Sequence, residues 1–127
     1  MLDRSDRLAL ALIVVLGIAT HFIGLTHPRE VVFDEVLMGK HVSSYCCTGQ
    51  HTFDVHPPHG KELIAIGAWI GGADGKFSFD HIGLQYENQP VFFFRLVPAL
   101  FGVAIAPLFF LLLRFLGGSY AVALLGG

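Results

Sequence analysis

Apolar residues follow one another from Leu8 to Leu25, eighteen positions without a formal charge. At about 1.5 Å of rise per residue, such a run makes roughly 27 Å of helix, close to the hydrocarbon thickness of a bilayer. Its first half also reads as the apolar region of a signal peptide, with Gly17-Ile18-Ala19 as the cleavage site. The apolar pattern continues past that site to Leu25, which favours a retained helix. A second run of eighteen, Leu96 to Leu113, is bounded by Arg95 and Arg114. Their long stems can carry the two charges to opposite interfaces. Pro98 falls in the first turn, where a missing N–H costs little, whereas Pro107 predicts a kink unless neighbours satisfy the freed carbonyl. Gly102 and Ala106 give a small-residue face for a partner helix. Beyond Gly117-Gly118 a third apolar run begins at Tyr120 and stops too early to span, which reads as a truncated third span over 119–127.

Between the two long runs the pattern changes. Positions 26–90 hold four Lys or Arg and eight Asp or Glu, a net charge of −4. With Arg4 and Arg7 before the first span, the positive-inside rule places this loop on the extracytoplasmic side. Within it, Asp34 to Tyr45 predicts a short helix with Val36, Leu37 and Val42 on its apolar side. Lys61 to Ile70 predicts an amphipathic interfacial helix, with Leu63, Ile64, Ile66 and Ile70 together and Trp69 suited to the headgroup zone. Gly71 to Gly75 ends it in turn residues. The expected fold is therefore all-α membrane: a span over 8–25, an outer loop over 26–90 with amphipathic helices, and a second span over 96–113.

Composition agrees with that class. Of 127 residues 54% are hydrophobic and only 14% charged, well below the roughly 25% charged residues of soluble domains. A net charge of −2 gives no basic field for nucleic acid. Cys46 and Cys47 are neighbours, a bond between them would close a strained ring, and no disulfide framework is expected. With His41, His51, His56 and His59 they match no zinc-ligand spacing, so no metal is expected.

The chemistry-bearing residues gather in the loop. Val31-Val32-Phe33-Asp34-Glu35, Gly39-Lys40 and the block Phe53-Asp54-Val55-His56-Pro57-Pro58 with Lys61 come in that order. They are followed by Gly75-Lys76-Phe77-Ser78-Phe79, Ile82-Gly83-Leu84-Gln85-Tyr86-Glu87-Asn88 and Arg95-Leu96-Val97-Pro98. This ordered set resembles the first extracytoplasmic loop and flanking spans of the protein O-mannosyltransferases, membrane enzymes of the GT-C glycosyltransferase type. The likeness covers Leu8 to Arg114. It departs at His21, where relatives commonly carry an arginine, at Leu37-Met38, and at Pro90-Val91-Phe92.

Asp34 and Glu35 have Cα atoms about 3.8 Å apart, and adjacent helical side chains diverge by roughly 100°. They cannot face each other across a sugar at the roughly 6.5–9.5 Å that an inverting hydrolase needs. One working carboxylate with a supporting neighbour fits better than a hydrolytic pair, but without the resemblance a dipole-stabilising acid pair at a helix start is the better reading. The resemblance implies that Asp34 is the general base and that Glu35 positions groups. For Arg95 it implies contact with the donor phosphate, or anchoring of a carboxylate such as Glu35. His56 reads either as part of a stiff Pro57-Pro58 corner or as a phosphate contact, Lys61 as a phosphate or carrier contact, and His21 as a weaker substitute for the family's cation.

The function implied is transfer of mannose, with inversion, from a polyprenyl or dolichyl phosphate to Ser or Thr hydroxyls of proteins. The donor is a lipid-linked substrate rather than a cofactor, and the partners are that lipid, the acceptor protein, the membrane and a second subunit in a dimer. The membrane would be the plasma membrane in a prokaryote and the endoplasmic reticulum in a eukaryote. A second lipid-carrier glycosyltransferase with another sugar or a lipid acceptor, and a membrane scaffold or transporter subunit, remain the alternatives. The chain is expected to be the amino-terminal part of a larger enzyme and inactive alone.

Overall fold

A computed structural model describes residues 2–50, 53 and 55–127; Asp54 of the His56 block and His51 lie outside the described residues. Among the described residues five α-helices follow in order: α1 Arg4–Phe22, α2 Phe33–Ser43, α3 His59–Ile70, α4 Val91–Phe115 and α5 Tyr120–Gly126. A π-helical turn, Ser44–Thr48, extends α2. Among the described residues there is no strand, only an isolated antiparallel bridge between Glu30 and Gln85. The expected all-α class is what the chain adopts.

The chain divides into two compact units, 1–23 with 99–127, and 24–98. Within the first, α1 starts four residues earlier than the apolar run. Asp3 caps it by accepting from the Asp6 amide at 2.8 Å, and Asp6 reaches back to the Asp3 amide at 3.2 Å. This reciprocal box satisfies two donors that a helix start leaves open. The Asp3 carboxyl is held below the usual carboxylate range, first by the Ser5 hydroxyl and then by the Asp6 amide. Asp6 is almost fully buried and takes a fork from Arg114, whose Nε and Nη2 lie 2.8 and 3.0 Å from its two oxygens. Arg114 Nη1 also donates to the Gly118 carbonyl at 2.7 Å. The sequence suggested that Arg114 merely reaches for an interface; it instead binds the foot of α1. Ala9, Phe110 and Ala123 form the small core beside this pair.

Both long helices are apolar enough to cross a bilayer, with mean hydropathy of 1.5 for α1 and 2.5 for α4. Only 17% and 11% of those windows are buried within the structure, unlike the core helix of a soluble protein. Helix α4 begins at Val91, ahead of the charge-free run, because Phe92, Phe93 and Phe94 continue its apolar pattern before Arg95. His21 packs its ring over Gly102, where an added Cβ would collide with the imidazole. Gly102 thus makes room for a side chain within this unit.

In the second unit, Val31, Val42, Ala65, Ala68, Phe79, Tyr86, Val91 and Phe94 make one core. Phe79 is its plug. Its ring meets Phe77, Tyr86 and Phe94 edge-on at centroid distances of 4.8, 5.9 and 5.3 Å, the geometry that ring quadrupoles favour. It lies directly on Gly39 of α2, and it holds a left-handed backbone at φ 50°. The cysteines depart from expectation: Cys46 and Cys47 are joined, their Cα atoms 3.7 Å apart. Spacing alone cannot reveal the local backbone that permits this, which is the π-helical turn closed by Gly49 at φ 64°. That turn packs on the exit of α3, with Cys47 Sγ 3.2 Å from the Ala73 carbonyl.

Gly39→Ala should lower the unfolding midpoint of the protein in detergent. The added methyl would enter the Phe79 ring, and overpacking costs about 1–3 kcal/mol, more than the roughly 1 kcal/mol of helix propensity gained. Gly60→Ala in α3, where a Cβ meets nothing within 4 Å, should leave the midpoint unchanged or raise it slightly. Equal midpoints for the two variants would contradict the plugged core.

Candidate functional site

Helix α2 opens with the acid pair. Val32 is its N-cap and offers no side-chain acceptor, so the usual reciprocal cap is missing one arm. Glu35 supplies the other, accepting from the Val32 amide at 2.8 Å through Oε2. Its carboxylate also takes Arg95 in a two-point contact, Nε to Oε1 at 2.6 Å and Nη2 to Oε2 at 3.1 Å. Parallel pairing of this kind is the strongest that a guanidinium makes with a carboxylate. Both side chains are mostly withdrawn from water, 13% exposed for Arg95 and 17% for Glu35.

Arg95 has further duties. Nη1 donates to the carbonyls of Leu25 at 3.2 Å and Pro28 at 2.8 Å, and Nη2 to that of Glu30 at 3.0 Å. A guanidinium has five N–H donors, and these contacts with the Glu35 pair occupy all five. Arg95 therefore ties the segment entering α2, and the first turn of α2 itself, to the start of α4. Sequence reasoning offered phosphate contact and carboxylate anchoring for this residue; in this structure its donors are committed to the second task.

Tyr86 completes the setting, and sequence reasoning did not single it out. Its ring lies 5.8 Å from the Arg95 guanidinium carbon, in cation–π range, and stacks on Phe77 and Phe94. The hydroxyl is buried, and no described residue meets it in full hydrogen-bond geometry. Burial pushes the phenol's pKa well above its usual value, and the Glu35 carboxylate adds to that push while Arg95 opposes it. No local pattern marks Tyr86, which lies seven residues past Phe79 and out of phase with the alternation of Phe77 and Phe79.

Asp34 contrasts with its neighbour. Its carboxylate is exposed and makes no hydrogen bond or ion pair among the described residues. One acid is locked and the next is open, because consecutive positions on α2 point about 100° apart.

Lys61, in the first turn of α3, is buried, and its Nζ lies 3.4 Å from the His56 carbonyl. The Pro57-Pro58 corner is thereby fastened to α3, with the His56 side chain exposed. Thus Glu35 joins Arg95, and Lys61 joins His56. His21 belongs to the other unit, where its Nδ1 lies 2.9 Å from the Gly17 carbonyl and 3.1 Å from Thr20 Oγ1. Among the described residues no three His, Cys, Asp or Glu gather to hold a metal.

Truncating Arg95 to Ala should strip two bonds from Glu35 and three from loop carbonyls. Breaking a buried pair by removing one partner costs about 3 kcal/mol or more, and the unfolding midpoint should fall accordingly. Arg95→Lys should recover little of it, since three ammonium donors cannot reproduce the fork. Full recovery by lysine would mean that charge alone matters here.

Comparison with known proteins places this geometry in context. A family model described as dolichyl-phosphate-mannose-protein mannosyltransferase matches residues 11–127. The chain is 45% identical over 118 residues to dolichyl-phosphate-mannose–protein mannosyltransferase 4 of Candida albicans, covering 91% of this chain and 16% of that protein. It is 40% identical over 118 residues to protein O-mannosyl-transferase 1 of Rattus norvegicus, covering 92% of this chain and 16% of that one. Among solved structures, the S. cerevisiae protein O-mannosyltransferase Pmt1-Pmt2 complex bound to the sugar donor matches with a TM-score of 0.84 and 34% identity. That match covers 98% of this chain and 17% of the solved one. The chain thus spans about one sixth of the length of the relatives it matches.

Proposed function

The chain belongs to the dolichyl-phosphate-mannose–protein mannosyltransferase family, and from that premise we propose that it carries the catalytic base of a GT-C membrane glycosyltransferase. The reaction moves mannose from a polyprenyl or dolichyl phosphate to a Ser or Thr hydroxyl of a protein, with inversion at the anomeric carbon. The observation that carries this reading is the division of labour at the start of α2. Arg95 holds Glu35 by a two-point contact, and the adjacent Asp34 carboxylate is exposed and has no partner among the described residues.

In the transfer, the acceptor oxygen attacks C1 of mannose while Asp34 takes the hydroxyl proton. The bond from C1 to the phosphate oxygen breaks, and the polyprenyl phosphate leaves with the electron pair. A base fixed within reach of the acceptor hydroxyl contributes typically about 10²–10⁴-fold. Glu35 and Arg95 do not touch the reacting atoms in this scheme. They set the backbone from which Asp34 projects, so they are positioning residues. Negative charge grows on the leaving phosphate, and groups aimed at it act mainly in the transition state. With the Arg95 donors engaged and Lys61 buried against the His56 carbonyl, the exposed His56 side chain is the candidate for that contact, while His21 has a packing task. The acidic loop faces away from the cytoplasm in this proposal, so donor and acceptor meet on the outer side of the membrane. The assembly, as in the solved relative's two-subunit complex, includes a second subunit.

Asp34→Asn in the full-length enzyme keeps the shape but removes the proton acceptor. Single-turnover transfer should fall by about 10²-fold or more with donor affinity little changed, because the lost interaction belongs to the transition state. A near-wild-type rate would remove Asp34 from the role of base.

A further inference from the structure

The proposed transfer leaves one polar group in the second unit without a task. Tyr86 is 3% exposed, and among the described residues nothing meets its hydroxyl in full hydrogen-bond geometry. An unpaired buried hydroxyl is costly, and a phenylalanine would fill the same space without that cost. The ring has little freedom to swing elsewhere. Phe77 and Phe94 stack on it at centroid distances of 5.0 and 5.9 Å, and Phe79 meets it edge-on at 5.9 Å. Its main chain is equally fixed: the Tyr86 amide donates to the Arg29 carbonyl at 3.0 Å, and Gln85 bridges Glu30. Tyr86 is therefore fastened to the segment that leads into α2.

What the hydroxyl can meet follows from the donors already placed. Arg95 lies over the ring, but all its N–H groups are taken by Glu35 and the loop carbonyls, so none is left for the phenol oxygen. Glu35, by contrast, has room. An ionised carboxylate offers about four acceptor sites. Oε2 receives the Val32 amide and Arg95 Nη2, while Oε1 receives only Arg95 Nε. A site on Oε1 is left over, and a phenol has a proton to donate. Glu35 also lies close enough to add to the upward shift that burial causes in the phenol.

We propose that the Tyr86 hydroxyl closes on Oε1 of Glu35 as the last donor of the Arg95–Glu35 clasp, and that Tyr86 is thereby a positioning residue for Asp34. This rests on the reading of Asp34 as the general base. The hydroxyl steadies the Glu35 carboxylate, the carboxylate caps the Val32 amide, and that cap fixes the first turn of α2, from which Asp34 projects. Tyr86 touches no reacting atom in this scheme. A hydrogen bond to an ionised acceptor is stronger than one between neutral groups, and a base that drifts from its place loses rate without losing substrate.

The test compares Tyr86→Phe with the wild-type full-length enzyme, because phenylalanine removes the hydroxyl and keeps the ring against Arg95 and Phe94. Single-turnover transfer from polyprenyl phosphate mannose to a Thr peptide gives a rate, and its amplitude counts folded enzyme; steady-state assays give KM for both substrates. The rate should fall about three- to tenfold, with the amplitude and both KM values unchanged. In an Asp34→Asn background the same substitution should slow transfer no further, since no base is left to place. A wild-type rate for Tyr86→Phe, a rise in either KM, a loss of amplitude alone, or an equal slowing in both backgrounds overturns the role of Tyr86 and leaves Asp34 as the base. A near-wild-type rate for Asp34→Asn alone overturns the base reading itself, and the role of Tyr86 with it.

Discussion

One guanidinium organises the second unit. Arg95 spends two N–H groups on Glu35 and three on the carbonyls of Leu25, Pro28 and Glu30. Buried polar groups must be paired, and a loop that runs under a helix start has carbonyls that a helix cannot satisfy. Arg95 meets that need from outside, and Glu35 neutralises the charge that doing so withdraws from water. The Tyr86 ring beneath it adds an apolar floor with a favourable quadrupole. Remove the guanidinium and the loop carbonyls, the Glu35 arm of the α2 cap and the backbone from which Asp34 projects are all released together.

The same residue explains how two adjacent acids come to differ. Neither is distinguished by type or by position in the chain. Glu35 faces the amide of Val32 and the fork of Arg95, whereas Asp34, one step round the helix, faces open space. In the proposed transfer the two would divide the work, Glu35 as part of a rigid frame and Asp34 as the group that takes the proton.

Much of this was legible in the sequence. The two apolar runs gave α1 and α4 because period and length are sufficient for a long helix, and Leu63, Ile64, Ile66 and Ile70 on one side, with Lys61 and Glu62 at the start, gave α3. The acid pair and Arg95 were legible as a set through the ordered family motifs, and carboxylate anchoring was one of two tasks open to Arg95. The choice between them depended on three main-chain carbonyls, which no residue type announces. Tyr86 and the Phe79 plug on Gly39 were hidden for a related reason, since long-range packing in an irregular loop leaves no periodic trace. The Asp6–Arg114 fork was missed although the Asp3-to-Asp6 spacing of a reciprocal cap was present, because its partner lies 108 positions away. The Cys46–Cys47 pairing ran against expectation, as the π-helical turn that allows it has no clear signature in residue type.

The central claim is that Arg95 acts on the chemistry through the placement of Asp34 and not by touching the donor. A double-mutant cycle of Asp34→Asn with Arg95→Lys, read as single-turnover transfer in the full-length enzyme at saturating donor, addresses it directly. If Arg95 works through Asp34, the double variant should be no slower than Asp34→Asn alone, because a base already removed cannot be misplaced. Multiplied losses in the double variant, accompanied by weakened donor binding in Arg95→Lys, would instead place Arg95 at the phosphate and contradict the account.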